Sequence, residues 1–200
     1  KIVIWASPLD FELRGSHRWL QNVITHEYAH IVSLQKSMKM GNKIPGAYFQ
    51  FMGYEKEKRK DVLYGFPNSL VSYPIPGTVV PPWLAEGIAQ YMYDGADWDH
   101  WDTHRDMILR DRSINKNLLS FNEMNTFGKK GIGNESTYNS GFALSRYIVF
   151  KYGSDIIKDL MVELSNPLQY SINDAFYNLL DIEGEEIYDD FVITLEERYK

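Results

Sequence analysis

The chain has no cysteine among its 200 residues. That excludes a disulfide framework and thiolate ligands, so any metal must rest on His, Asp and Glu. Long hydrophobic runs are missing too: no apolar stretch approaches the roughly 18 residues of a membrane-spanning helix. Positive charge is in short supply, with 21 Lys and Arg against 27 Asp and Glu and a net charge of −6. The one basic cluster, Lys56 to Lys60, is interleaved with Glu55 and Glu57. It reads as a solvated face rather than a nucleic-acid footprint. The start, Lys1, carries neither Met nor a signal-peptide pattern, as expected of a processed protein or an excised domain.

What is present describes a folded protein. Hydrophobic residues make up 44% and aromatics 14%, enough for a packed core in one domain or two intimate subdomains. The 14 Tyr and 5 Trp suit a chain with a large amphipathic groove as well as an aromatic core. Histidine is rare, at 5 residues, and two of the five stand in one short motif.

That motif is His26-Glu27-Tyr28-Ala29-His30, of the form H-E-x-x-H. In a chain of this composition it arises by chance about once in a hundred. On a helix, positions four apart lie one turn above each other on one face. His26 and His30 then aim two imidazole nitrogens at one point, as a tetrahedral Zn²⁺ requires. Glu27 stands beside that point, the place for a general base acting on water. Ser16 is a plausible N-cap after Gly15, no Pro or Gly follows up to Lys36, and Leu20, Val23, Ile24, Ile31 and Leu34 form an apolar stripe. The spacing thus predicts a helix from His17 to Lys36, buried along that stripe.

A second helix is predicted from Pro81-Pro82, where proline suits a first turn. Within Trp83-Leu84-Ala85-Glu86-Gly87-Ile88-Ala89-Gln90-Tyr91, Glu86 is a lone carboxylate among apolar neighbours. Burying it is costly unless it meets a cation. Gly87 favours the helix less than Ala by about 1 kcal/mol, which makes sense if another backbone packs close by. Both features fit a third zinc ligand docked against the His26/His30 helix. His100 and His104 also stand four apart, but no Glu follows the first and Asp and Arg surround them. Salt bridges suit them better than a second metal site, and His104 is a candidate for polarising a substrate.

Elsewhere the pattern is coarser. Lys1 to Ala6 alternates like a strand, and a sheet edge there could pair with an extended peptide. Residues 42 to 82 are apolar but punctuated by Gly and Pro, and read as long loops with a short helix at Glu55 to Leu63. Met107 to Arg110 reads as helix leading into a loop, Ser120 to Glu123 as a capping box, and Gly128 to Gly133 as a glycine-rich loop. A helix is expected from Tyr138 to Gly153, followed by others at Ser154 to Leu164, Ile172 to Leu180 and Glu185 to Arg198.

With His26-Glu27-Tyr28-Ala29-His30, the Pro82 to Tyr91 segment, the Tyr138 to Gly153 block and the closing Asp174 to Leu180 pattern in that order, the chain resembles a gluzincin-type zinc metallopeptidase domain, peptidase MA-like. The Trp101 to Arg110 run is similar to the form attached to a Tol-type β-propeller in bacterial surface or periplasmic proteins. The resemblance implies an α+β, mainly helical, zincin-like fold: a small N-terminal sheet, the H-E-x-x-H helix and a C-terminal helical subdomain. Residues 1–95 would form the first subdomain and 96–200 the second, with a cleft between them. It implies that His26, His30 and Glu86 bind Zn²⁺, that Glu27 handles the proton, and that Tyr138 offers a hydroxyl to the developing oxyanion; Tyr28, Tyr91 and Tyr93 are rivals for that part. Its substrate would be a peptide or protein, its location exported, periplasmic or cell-surface, its neighbour in a longer chain a β-propeller. The alternative is a catalytically weak binding or scaffold module of the same fold. One departure stands out. Where some gluzincins place an Asp four residues after the glutamate ligand, this chain has Gln90, which orients an imidazole without adding charge.

Overall fold

The computed structural model describes residues 19–41, 43–54, 67–92, 103–128 and 131–200, with backbone alone at 19, 67–68, 103–105 and 131–135. Helix α1 spans Trp19–Lys36. Strands β1 (Gly46–Tyr54) and β2 (Pro67–Pro76) follow, then helices α2 (Pro82–Tyr91), α3 (Thr103–Ile114), α4 (Gly131–Tyr152), α5 (Asp155–Leu164), α6 (Ile172–Leu180) and α7 (Gly184–Arg198). A 3₁₀ turn at Glu123–Asn125 separates α3 from α4. The architecture is α+β and mainly helical. Among the described residues no helix is long and apolar enough to cross a membrane.

The core gathers around α2 and α4. Trp83, Leu84 and Ile88 of α2 pack with Leu144 and Ile148 of α4, and with Leu160, Phe176, Ile187 and Phe191 from the three helices that follow. Residues on both sides of position 95 therefore share one hydrophobic cluster. Gly87 and Gly141 mark the point where α2 and α4 cross. A Cβ on Gly87 would lie 2.4 Å from the Gly141 carbonyl oxygen, and one on Gly141 would lie 2.4 Å from that of Trp83. Only glycine allows backbones to meet at that range.

The region between α1 and α2 differs from the sequence reading. In place of loops, β1 and β2 form an antiparallel ribbon, with Phe49 opposite Tyr73 and Phe51 opposite Val71. Prolines 67, 74 and 76 disguised β2. Among the described residues each strand of the ribbon has one partner and one open edge, where proline sacrifices no ladder bond. At its base the ribbon is tied down: Tyr170 Oη donates to the Pro74 carbonyl at 2.8 Å, and Ile75 is buried. The segments at Lys1 to Ala6, at Ser16 and His17, and at Glu55 to Leu63 lie outside the described residues.

Two other boundaries move. α3 continues past Arg110 to Ile114. α4 begins at Gly131, so residues 131 to 133 are helical rather than part of a glycine-rich loop. Glycine weakens a helix locally, but from Ser136 onward this one is buried on most sides, and packing overrides propensity. The stripe expected to bury α1 holds only in part: Val23, Ile31 and Leu34 are half-buried but Leu20 and Ile24 are exposed, while Ala29, Ser33 and Ser37 are buried. Small residues at that spacing line the most buried face of α1, and Leu20, Ile24, Tyr28 and Val32 turn outward.

Local chemistry explains the remaining ends. The capping box closes as expected: Ser120 N–H donates to Glu123 Oε2 at 2.8 Å, and Glu123 N–H donates to Ser120 Oγ at 3.3 Å. It caps a single 3₁₀ turn, however. Ser171 caps α6 by accepting from the N–H groups of Asn173 and Asp174, and Asp181, at φ 59°, ends it in the left-handed region.

Candidate metal centre

α1 presents His26 and His30 one turn apart, and α2, packed against it, presents Glu86. The three ligand atoms make a small triangle. His26 Nε2 lies 3.0 Å from Glu86 Oε2, His30 Nε2 lies 3.2 Å from the same oxygen, and the two Nε2 atoms are 3.0 Å apart. The imidazole rings stand nearly perpendicular, at 87° with centroids 4.6 Å apart. Side-chain exposures of 21%, 18% and 12% for His26, His30 and Glu86 keep the cluster partly shielded yet reachable from solvent.

This donor set fits a cation. Each ring nitrogen has either one hydrogen or one lone pair in the ring plane, so protons alone satisfy at most part of a triangle with three short edges. A tetrahedral zinc bound at about 2.0–2.1 Å sets nitrogen and oxygen ligands about 3.3 Å apart, close to the separations found. Among the described residues, His26, His30 and Glu86 are the group of three whose ligand atoms converge in this way.

The electrostatics point the same way. Burial alone would push the Glu86 carboxyl up, but hydrogen bonds from His26 and His30, with the attraction of their charges, bring it down to about 2. Burial works against a charged His30 as well. The Glu86 hydrogen bond and the negative charges of Glu86 and Glu27 outweigh it and raise the imidazole above its usual value. The site therefore holds an ionised carboxylate and draws positive charge. Glu27, half-buried on α1, is close enough for its charge to act on His30.

Tyr138 comes from α4. Its ring stacks on His26 with centroids 6.4 Å apart and planes 24° apart. The glycine crossing explains how it gets there, because Gly141 sits less than one turn beyond Tyr138 and Gly87 sits next to Glu86. The backbone contact that packs α2 on α4 thus brings the segments that carry Glu86 and Tyr138 together. Two of the rival tyrosines fall away from the site. Tyr28 is two positions past His26, about 200° round the helix, and is exposed. Tyr91 packs against the core, and Tyr93 lies outside the described residues. Gln90, one turn beyond Glu86, is buried. The backbone of His104 lies in α3, but its side chain and all of His100 lie outside the described residues.

One residue at the site escaped the sequence reading. Phe127, in the loop before α4, lies 6.1 Å from the Tyr138 ring and is 47% exposed. Nothing in Thr126-Phe127-Gly128 advertises it. Comparison with protein-family models, with curated proteins and with solved structures finds no match to this chain.

Proposed function

We propose that the protein is a zinc-dependent peptidase of gluzincin type, built on a zincin-like fold. The observation that carries this reading is the convergence of His26, His30 and Glu86 from two helices, with a carboxylate, Glu27, next to the first ligand in sequence. A purely structural metal site has no use for such a base. Zinc held by His26, His30 and Glu86 would act as a Lewis acid and lower the pKa of an attacking water.

The chain's own groups then share the remaining work. Glu27 takes the proton as water attacks the peptide carbonyl and returns it to the departing amine nitrogen. The Tyr138 hydroxyl donates to the carbonyl oxygen as negative charge gathers there; His104 is the second candidate for that donation. Gln90 orients an imidazole from behind without adding charge. The substrate is a peptide or protein. An exported, periplasmic or cell-surface location and a β-propeller neighbour in a longer chain belong to the same proposal, as does a cleft between residues 1–95 and 96–200.

The decisive experiment combines elemental analysis with Glu27→Gln. The parent should bind one zinc per chain, lost in His26→Ala, and cleave members of a broad peptide library. Glu27→Gln should keep its zinc and lose cleavage by at least about a hundredfold. Zinc binding without cleavage in the parent would favour a scaffold module instead, and absence of zinc would remove both readings.

A further inference from the structure

An exposed phenylalanine is ordinary on a protein surface; what distinguishes Phe127 is its alignment. Its ring, 47% exposed, lies 6.1 Å from Tyr138 at a tilt of 33°, and Tyr138 in turn stacks on the ligand His26. An aromatic ledge therefore runs outward from the donor cluster. Both centroid separations lie within the range of roughly 4.5–7 Å over which offset-stacked and tilted ring pairs interact. A third ring laid against the ledge would meet two partners without displacing a charge.

The next step rests on the peptidase reading. When a peptide carbonyl is held at the cluster, the Cα of the residue on its acyl side is about 1.5 Å from the reacting carbon, and the Cα on its amine side about 2.4 Å. A benzyl side chain reaches roughly 5 Å beyond its Cα. The Tyr138 ring lies 6.4 Å from the His26 ring, and the Phe127 ring a further 6.1 Å from Tyr138, so a benzyl group is long enough to extend from the cluster towards the ledge. A methyl or hydroxymethyl side chain stops short of it, and an acidic one gains no partner there. We propose that Phe127, together with the face of Tyr138, forms a subsite for a large apolar, preferably aromatic, side chain on a residue flanking the scissile bond. Phe127 is thus a specificity-determining residue, while the proton chemistry stays with Glu27.

The test uses zinc-loaded protein and two peptide hydroxamates that differ only in a benzyl or methyl side chain, with binding followed by calorimetry. Library cleavage runs in parallel. The parent should bind the benzyl compound at least about tenfold more tightly than the methyl one. In Phe127→Ala that ratio should fall below about threefold with methyl binding unchanged, and Phe127→Leu should keep most of the preference. Phe127 is half exposed, so these variants should fold, which circular dichroism melting verifies. Equal weakening of both compounds in Phe127→Ala would mean that Phe127 merely supports Tyr138, and would overturn the proposal. So would a parent that does not distinguish the two. If the ratio behaves as expected but no peptide is cleaved, the subsite stands and the peptidase reading falls. If zinc or both hydroxamates fail to bind, both fall together.

Discussion

Replacing Gly87 with alanine tests the link between the helix crossing and the proposed metal centre. The added Cβ would sit 2.4 Å from the Gly141 carbonyl oxygen and 2.4 Å from Ser145 Oγ, where ordinary contact begins at 3.4 Å. Ser145 has a side chain that can rotate; the Gly141 carbonyl is backbone and cannot. α2 and α4 must therefore separate by about 1 Å, opening gaps around Trp83, Leu84 and Leu144, which are at most 1% exposed. Alanine favours the helix by about 1 kcal/mol, while overpacking typically costs about 1–3 kcal/mol and the loosened core adds to it. The net expectation is a loss of about 2 kcal/mol, or a Tm lower by about 4–8 °C in a chain of this size. Glu86 moves with its neighbour, and metal sites tolerate distance errors of only about 0.2 Å. Zinc affinity should therefore fall by at least about tenfold. Denaturant unfolding of the metal-free protein gives the first number, and competition against a chromophoric chelator gives the second. Gly41→Ala is the control, since nothing lies within 4 Å of its added Cβ, and it should stay within about 0.5 kcal/mol of the parent. A Gly87→Ala protein as stable as the parent would refute the crossing. One that is less stable but keeps its zinc affinity would refute the coupling.

Lys39 donates from its ammonium to the carbonyls of Leu164, Asn166 and Gln169, so it closes the end of α5 and ties it to the segment after α1. Lys39→Met should cost about 2 kcal/mol by urea unfolding, because it removes charge-assisted bonds to main-chain acceptors; a loss under about 0.5 kcal/mol would show that water replaces them. Tyr188 should contribute to the loss of stability at alkaline pH. Its buried phenol donates to the Leu119 carbonyl, and burial, then the charges of Asp189 and Glu123, push it up from 10.0 to about 12. A raised acid is harder to ionise in the fold than in the open chain, so its contribution is complete below about pH 10 and is lost between about pH 10 and 12. That span amounts to about 3 kcal/mol. Tyr188→Phe should flatten this decline at the expense of about 1 kcal/mol at neutral pH, and an unchanged alkaline slope would refute the assignment. Zinc should slow amide hydrogen exchange more in α1 than in α6 or α7, because α1 buries chiefly small residues while its Leu20, Ile24, Tyr28 and Val32 remain exposed; uniform protection would contradict that view.

The helices were legible where a local signal stood alone. Ile172 and Leu180 bound α6 as expected, because Ser171 caps its start and no competing pattern overlaps. α2 announced itself through Pro81-Pro82. The strands Gly46–Tyr54 and Pro67–Pro76 were not legible, since their prolines and glycines mean a break in most settings and are harmless only on a sheet edge. Whether the segment is a loop or a ribbon depends on how many neighbours each strand has, and that number is not written in the strand. The same applies to the buried face of α1: periodicity showed that a face existed, but the approach of α2 selected the one with Ala29, Ser33 and Ser37.

The donor cluster was more legible than its surroundings, for a physical reason. His26 and His30 are related by one helical turn, a purely local relation, so their common direction follows once the segment is helical. Glu86 stood out through a conflict: a carboxylate among residues headed for the core, beside a glycine with no local reason to be there. Both oddities resolve at one place, since Gly87 admits the Gly141 backbone and Glu86 faces the two imidazoles. Phe127 carries no such conflict. Its position depends on where α4 begins and on the crossing that brings Tyr138 to His26, relations that span tens of residues. Residues that hold a charge in a buried place leave a trace in the sequence because they are costly there. Those that merely shape the space beside it, being apolar and unstrained, become visible only when the chain is folded.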